Sequence, residues 1–248
     1  MLSRAHLLGL FVVAFLVIFI ATMPARLAVR WMELGSAVTY SGVEGSLFNP
    51  RLSGVSYRKM PIGDVGVEPA LSAFVLGSFH GKVTMRGNVS GQFEVVEYSD
   101  TEIIIKDAHL AVPVDFTTKG WPLSGAVSLN SSSIALDSRA GCSEGSFTLR
   151  TDMFAPALKA FGGDDIILAG DGRCEGGQLE ATLVGENRRL AVTVNTAWRK
   201  GENLVADITL APKGAAPPSE AVQMMLDFAG LRREGKAWYG QLSLPVDL

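Results

Sequence analysis

The chain begins with a continuous apolar run and then changes to alternating apolar and polar positions. Residues 7–23 contain no charged side chain. At about 1.5 Å of rise per residue, a helix over residues 7–25 is about 30 Å long, which matches the hydrocarbon core of a bilayer. Arg4 and Arg26 lie on either side of the run, where their side chains can reach the lipid headgroups. The pattern predicts one membrane-spanning helix.

Two alternatives compete with an uncleaved anchor. A signal peptide has an apolar core of about 7 to 15 residues before an A-x-A-like cleavage site, whereas this core is longer and no clean small-x-small site follows it. A helix buried in a soluble core normally has one polar face, and this one has none. We therefore expect a short cytoplasmic head at residues 1–6, a single-pass anchor at 7–25 and a domain on the far side of the membrane at 26–248.

Beyond the run, apolar positions recur with a period of two, the pattern of a strand with one buried and one solvent-facing side. Such alternation is typical of antiparallel sheets with one wet face. The predicted fold class is therefore mainly β, an antiparallel sheet domain with a few short helices after the transmembrane helix. A denser run, Ile-Ile-Ile at residues 103–105, is expected in a strand buried on both faces. The alternating segments are residues 81–87, 126–130, 145–150, 178–184, 190–195, 205–210 and 239–244.

Three short segments break the alternation and predict helices near residues 69–77, 153–161 and 219–229. Asp152 is placed to cap the second helix. Ser219 is placed to cap the third, and Gly230 is placed to end it, since glycine readily takes the left-handed conformation that follows a helix. Residues 213–218, with glycine and two prolines, are predicted to form an exposed linker.

The two cysteines, Cys142 and Cys174, lie in similar glycine-flanked sequences. One pair in a large domain is consistent with a disulfide in an oxidising compartment, and the alternative is two unrelated buried thiols. We predict the disulfide. It also supports placing the domain in the periplasm.

Charge and motifs exclude most other chemistry. The net charge is −3 with no basic block, so nucleic acid is not an expected partner. His80 and His109 have no second histidine at ligand spacing, so no metal site is predicted. Residues 170–176 lack the spacing and the Lys-Ser/Thr of a phosphate loop and are interpreted as a hairpin turn. Asp164 and Asp165 are interpreted as a solvated loop. No catalytic, cofactor-binding or metal-binding residues are assigned.

Several segments together resemble the type II secretion system protein N family. In the first quarter of the chain these are Pro-Ala-Arg-Leu at residues 24–27, a Gly-Val-x-Gly strand and turn at 42–48, followed by Asn-Pro at 49–50 where the family has a small, glycine-rich turn, and an aromatic-Arg-x-x-Pro element at 57–61. Phe48 stands where the family has tryptophan. Near the C-terminus they are the helical segment 224–230, the turn 234–236 and a closing strand from Trp238.

The resemblance implies an accessory protein of the bacterial inner membrane, with its β-rich domain at 26–248 in the periplasm, that belongs to the machinery exporting folded proteins across the outer membrane. It implies no enzymatic activity and no cofactor, and it makes other secretion-system proteins the expected partners. A second interpretation comes from the alternation alone. A single anchor followed by many one-face-apolar strands also fits AsmA-like proteins, in which a curled sheet holds lipid in an apolar groove.

Overall fold

The computed structural model describes residues 22–31, 37–70, 80–99, 101–118, 121–156, 166–213 and 230–244, with Phe11, Phe15, Gln223, Met224, Leu226 and Asp227. The predicted head and most of the predicted anchor lie outside these residues. In the part of the chain that is described, no helix is both long and apolar enough to cross a membrane. The chain divides into two compact units, Met1–Gln92 (unit 1) and Phe93–Leu248 (unit 2).

Unit 1 contains one short helix and an antiparallel sheet. The sheet order is β1-β3-β4-β5, and β2 also pairs with β3. The strand β6 (Ser90–Tyr98) crosses the boundary between the two units. The elements within unit 1 are α1 (Ala25–Trp31), β1 (Val38–Thr39), β2 (Gly42–Ser46), β3 (Asn49–Tyr57), β4 (Met60–Pro69) and β5 (Gly81–Arg86).

The core of unit 1 lies between α1 and the sheet. Val29 of α1 packs with Leu52 and Val55 of β3. Between these two β3 residues the register with β4 shifts, at Gly54. Gly54 has a φ of +60°, and a Cβ there would crowd the Ser41 hydroxyl, so this bulge requires glycine.

Unit 2 is an antiparallel sheet in the order β7-β8-β9-β10-β11-β12-β13-β15-β14. This confirms the mainly β, antiparallel fold class. The predicted strands of this unit lie in β8, β9, β11, β12, β13 and β15. Its strands are β7 (Glu102–Thr118), β8 (Trp121–Asp137), β9 (Gly141–Thr151), β10 (Leu168–Glu175), β11 (Gln178–Glu186), β12 (Leu190–Arg199), β13 (Leu204–Pro212), β14 (Arg232–Glu234) and β15 (Ala237–Leu244).

The two faces of the unit 2 sheet differ sharply, as the alternation predicts. The apolar positions form an inner face, which is covered by side chains from two connections. Phe154 and Ile166 come from the β9–β10 connection, and Leu226 and Leu231 come from the β13–β14 connection. The strand residues of the same cluster are Leu123, Leu168, Leu183, Val192, Val194, Ala206, Leu210 and Trp238. The opposite positions form an outer face.

One end of the unit 2 sheet curls tightly. The Lys200 ammonium group, in the turn after β12, donates to the backbone oxygen of Ser138, in the turn after β8, although three strands separate β8 from β12 in the sheet order. The Trp198 ring approaches Gly141 at the start of β9. The inner face is therefore closed by its own residues at this end.

The predicted end of the third helix is observed. Gln223, Met224, Leu226 and Asp227 are helical. Gly230 has a φ of +80°; its N–H donates to Asp227 O, and Leu231 N–H donates to Leu226 O, both at 3.0 Å. This is a Schellman motif, and Leu226 and Leu231, which belong to the same buried cluster, supply its apolar contact. Ser219 and most of the linker 213–218 lie outside the described residues.

The first helix prediction is wrong at its first residue, whereas the second is confirmed at the two described residues that are helical and is wrong in its cap. Pro69, expected at the start of a helix, is the last residue of β4, and residues 71–79 are not described. In the second segment, Ala155 and Pro156 are helical, and residues 157–165 are not described. Asp152 does not cap that helix, because its Oδ1 accepts from Ala126 N–H at 2.8 Å. Pairing with the neighbouring strand outcompetes a local cap.

Three strand details also differ from the predictions. Residues 103–105 are half-buried on β7 rather than buried on both faces. Residues 170–175 continue β10, and the turn itself is Gly176–Gly177. Asn49 and Pro50, which stand where the family has a turn, begin β3. In the last two segments glycine or proline is accommodated within a strand.

Candidate functional site

The two cysteines are bonded to each other on the inner face of unit 2. Cys142 lies at the start of β9 and Cys174 near the end of β10, with their Cα atoms 5.4 Å apart. Each is 4% exposed, and both pack with Ile134, Phe147 and Ala181. A buried, apolar disulfide of this kind has the environment of a structural bond rather than a reactive centre.

No constellation of catalytic or metal-binding groups is found among the described residues. None of their His, Cys, Asp and Glu side chains form a group of three or more able to hold a metal ion. His109 Nδ1 lies 2.8 Å from Asn130 Oδ1 on the outer face of unit 2. Asp164 and Asp165 lie outside the described part of the chain.

A row of polar side chains crosses the outer face of unit 2 at one level. Each member is the direct register partner of the next, from β7 to β13 and then β15. All are exposed. We call this set the polar row. Its members are His109, Asn130, Thr148, Asp171, Thr182, Asn195, Asp207 and Gln241.

Hydrogen bonds between neighbouring strands fix parts of the polar row. The Thr182 hydroxyl donates to Asn195 Oδ1 at 2.9 Å, and Gln241 Nε2 donates to Asp207 Oδ1 at 2.9 Å. From Asp171 to Asp207 the row lies in a groove of about 450 Å³ (the unit 2 groove). The ion pair of Arg173 with Glu180, at 3.1 Å, borders it.

Unit 1 has a groove of its own, of about 270 Å³, on the sheet formed by β2 to β5 (the unit 1 groove). Its floor is Gly66 on β4, which lies between Arg51 on β3 and Thr84 on β5 in direct register. A Cβ at Gly66 would come no closer than 3.9 Å to another atom. The missing side chain therefore leaves the groove open, and the backbone there does not require glycine.

Two arginines line the unit 1 groove without a carboxylate partner. Arg51 and Arg86 are both exposed. Within the described contacts neither guanidinium forms an ion pair or a side-chain hydrogen bond, although Glu44 is the register partner of Arg51 and Asp64 that of Arg86. Asp64 Oδ1 instead accepts from Gly54 N–H at 3.1 Å.

Comparison with known families identifies the relatives of this chain. A family model described as type II secretion system (T2SS), protein N, matches residues 36–240. The chain belongs to the type II secretion system protein N family. No curated protein and no solved structure matches it. Membership in the protein N family supports an accessory role in type II secretion, and it implies association with the inner membrane.

The segments that carry the resemblance to the protein N family are structural. Residues 42–48 form β2 and the turn after it. Arg58 and Lys59 form the β3–β4 turn with φ values of 44° and 71°. Positive φ at both central residues is the geometry of a type I′ hairpin turn. Residues 234–236 contain the β14–β15 turn, with Gly235 at a φ of 64°. Of these three segments only residues 42–48 contribute to a groove, since Glu44 lines the unit 1 groove.

Sequence reasoning missed both grooves. The polar positions of the row, such as Thr182, Asn195 and Asp207, were visible as the solvent-facing side of alternating strands. Their alignment depends on the register of the strands, which alternation does not specify. Gly66 gave no signal, because it resembles the other glycines of the chain.

Proposed function

We propose that this protein N family member is a non-enzymatic accessory component of the secretion machinery that acts through protein contacts in the periplasm, with the unit 1 groove as a contact surface. The observation that carries the proposal is that Arg51 and Arg86, at an open groove, have no ion-pair partner among the residues that the structure describes. Arginine is enriched at protein interfaces and among the residues that dominate their binding energy. It also forms two-pronged hydrogen bonds with carboxylates.

The partner's contacting segment should carry both signs of charge. The arginine guanidinium groups would donate hydrogen bonds to its carboxylates, whereas Glu44 and Glu68, which line the same groove, would attract its cations. Asn49, Ser53 and Thr84 add neutral hydrogen-bonding groups. Opposite charges across an interface favour the correct partner and register.

The proposed location is a single-pass protein of the inner membrane with its bulk in the periplasm. The uncharged run at residues 7–23 supports the anchor. The Cys142–Cys174 disulfide supports the compartment, because disulfides persist in oxidising environments such as the periplasm. A reporter fused at Leu248 that is active only in the periplasm tests this topology.

The lipid-handling alternative finds less support in unit 2. It needs an uncovered apolar face, but the inner face from β10 to β15 is covered by Phe154, Ile166, Leu226 and Leu231. Mass spectrometry of the detergent-purified protein distinguishes the two functions, because a lipid-handling protein should retain phospholipid in a fixed ratio.

Site-specific photocrosslinking in intact membranes tests the contact surface. A photoreactive residue at Thr84, within the groove, should capture another secretion component. The same residue at Lys82, on the same strand and face but outside the groove lining, should not. Capture at both positions, or at neither, would contradict the proposed surface.

Two variants separate the groove from the fold. Gly66→Val fills the groove, and strand geometry tolerates it because Gly66 has no positive φ and has space around it. Arg51→Ala with Arg86→Ala removes the charges, and Lys82→Ala is the matched control. We expect both groove variants to reduce crosslinking and secretion while the control does not. Normal secretion in both groove variants would refute the proposal.

A further inference from the structure

The polar row of unit 2 differs in chemistry from the unit 1 groove. Its spacing is that of neighbouring strands, about 4.8 Å from one side chain to the next. It contains carboxylates, amides, hydroxyls and one imidazole, but no lysine, arginine or large aromatic residue. The row therefore presents a line of hydrogen-bonding groups without the anchors that dominate protein interfaces.

The groups at the centre of the row are held in place but retain unused donors and acceptors. Asn195 uses its carbonyl oxygen to accept from Thr182, and its amide N–H groups have no partner among the described residues. Asp207 uses one oxygen to accept from Gln241. A free amide donor and a free carboxylate acceptor therefore lie on adjacent strands, β12 and β13, as direct register partners.

This arrangement suits neighbouring hydroxyl groups. A hydroxyl both donates and accepts, so one hydroxyl of a vicinal pair can accept from Asn195 while the other donates to Asp207. Asp171, at the far side of the groove, has no hydrogen-bond or ion-pair partner in the described part of the chain and can accept a third hydroxyl. The groove also carries Glu180, and its one cation, Arg173, is paired with that residue. Carboxylates therefore outnumber cations in the groove, which disfavours phosphate and sulfate groups.

We propose that the unit 2 groove binds a neutral polysaccharide, with Asn195, Asp207 and Asp171 making the hydrogen bonds that hold it. The groove of about 450 Å³ spans four strands, which gives a chain of several sugar units a continuous line of contacts. This inference goes beyond the proposed protein contacts and does not depend on them, since the residues belong to the other unit.

Binding of defined oligosaccharides to the full chain tests the proposal. The protein is purified in a detergent without a sugar headgroup. It is then titrated by calorimetry with hexamers of β-1,4-linked N-acetylglucosamine and of β-1,4-linked glucose, and with heparin as an anionic polysaccharide. We expect at least one neutral hexamer to bind and heparin not to bind. Failure of both hexamers to bind, or equal binding of heparin, would overturn the proposal.

Matched variants locate the site. Asp171→Ala, Asn195→Ala and Asp207→Ala should each weaken binding of the hexamer about fivefold to tenfold, the effect of losing one hydrogen bond. Glu175→Ala is the control, because Glu175 is an exposed acid on the same face of β10 but does not line the groove. Unchanged affinity in all three groove variants would mean that the sugar binds elsewhere and would contradict the proposed site. So would capture of a protein by a photoreactive residue at Thr182 when neither hexamer binds.

Discussion

Adjacent residues of β15, Trp238 and Tyr239, show how differently the two faces of the unit 2 sheet are used. Trp238 is on the inner face and is 1% exposed, whereas Tyr239 is on the outer face and is 43% exposed. The inner face consists of apolar side chains that bury one another. The outer face carries polar side chains that solvent or a ligand can reach. Stability should therefore depend on the first face and binding on the second.

Truncating the two aromatic residues should give the largest contrast. Trp238→Ala should lower the free energy of unfolding by about 3 to 5 kcal/mol, because it leaves a large cavity among Leu210, Leu226 and Leu231. Tyr239→Ala should cost less than about 1 kcal/mol. Urea unfolding followed by circular dichroism measures both values. Equal losses would contradict the division between the faces.

A conservative change sharpens the same comparison. The indole Nε1 of Trp238 is buried without a hydrogen-bond partner in the described structure, so phenylalanine would lose packing but no hydrogen bond. Trp238→Phe should therefore cost clearly less than Trp238→Ala. A loss as large as that of the alanine variant would contradict the view that Trp238 acts mainly by filling space.

The disulfide should have the next largest effect, since it too belongs to the inner face. Replacing Cys142 and Cys174 with alanine should lower the free energy of unfolding by about 2 to 4 kcal/mol, because the bond closes a loop with a sequence separation of 32. Dithiothreitol should destabilise the native protein by a similar amount and leave the double variant unaffected. Thiol labelling of denatured, unreduced protein should detect no free thiol, and two labelled thiols per chain would contradict the bond.

Two glycines allow the packed inner face of unit 2 to be compared with the open unit 1 groove. A Cβ at Gly172, on the inner side of β10, would overlap the Phe147 ring, whereas a Cβ at Gly66 has open space. Gly172→Ala should therefore cost about 1 to 3 kcal/mol, and Gly66→Ala should be neutral or slightly stabilising. Combining Gly172→Ala with Phe147→Leu should recover part of the loss if the ring causes it. The free energies of all three variants come from the same urea titrations.

The alternating pattern predicted the strands well because it is a local property of the chain. Segments such as 190–195 and 205–210 reveal which side of a strand is buried before its neighbours are known. The end of a helix at Gly230 was also predictable, since the left-handed conformation belongs to a single residue. The family resemblance rested on such local signals, and the family match agrees with it.

Features that depend on neighbouring strands could not be predicted in the same way. Asp152 was expected to cap a helix, but it bonds with Ala126 on the adjacent strand. The polar row arises only when eight strands are in register, and the openness of the unit 1 groove depends on what surrounds Gly66. Each of these features requires three-dimensional proximity, which spacing along the chain does not encode.

The smallest expected effect on stability comes from the turn between β8 and β9. The backbone N–H groups of Ala140 and Arg139 donate to Asp137 Oδ1 at 2.6 and 2.7 Å. These bonds favour the charged carboxylate and lower the pKa of Asp137 below its usual value. Burial opposes the shift in pKa, and the charges of Arg139 and Lys200 add to it. A lowered pKa means that the turn adds stability above the pKa of the unfolded chain. This contribution is lost as the pH falls through the pKa of the folded protein.

An NMR titration of the Asp137 carboxyl carbon measures this effect directly. The midpoint in the folded protein should lie below that in the urea-unfolded chain, where an aspartate titrates near pH 3.9. Lys200→Gln should raise the folded midpoint only slightly, because the backbone N–H groups are the larger cause. Asp137→Asn keeps an oxygen acceptor for the turn and should remove this residue's share of the pH dependence of stability at acidic pH. If the folded and unfolded midpoints coincide, the hydrogen bonds that the backbone N–H groups of Arg139 and Ala140 donate to Asp137 do not persist in solution.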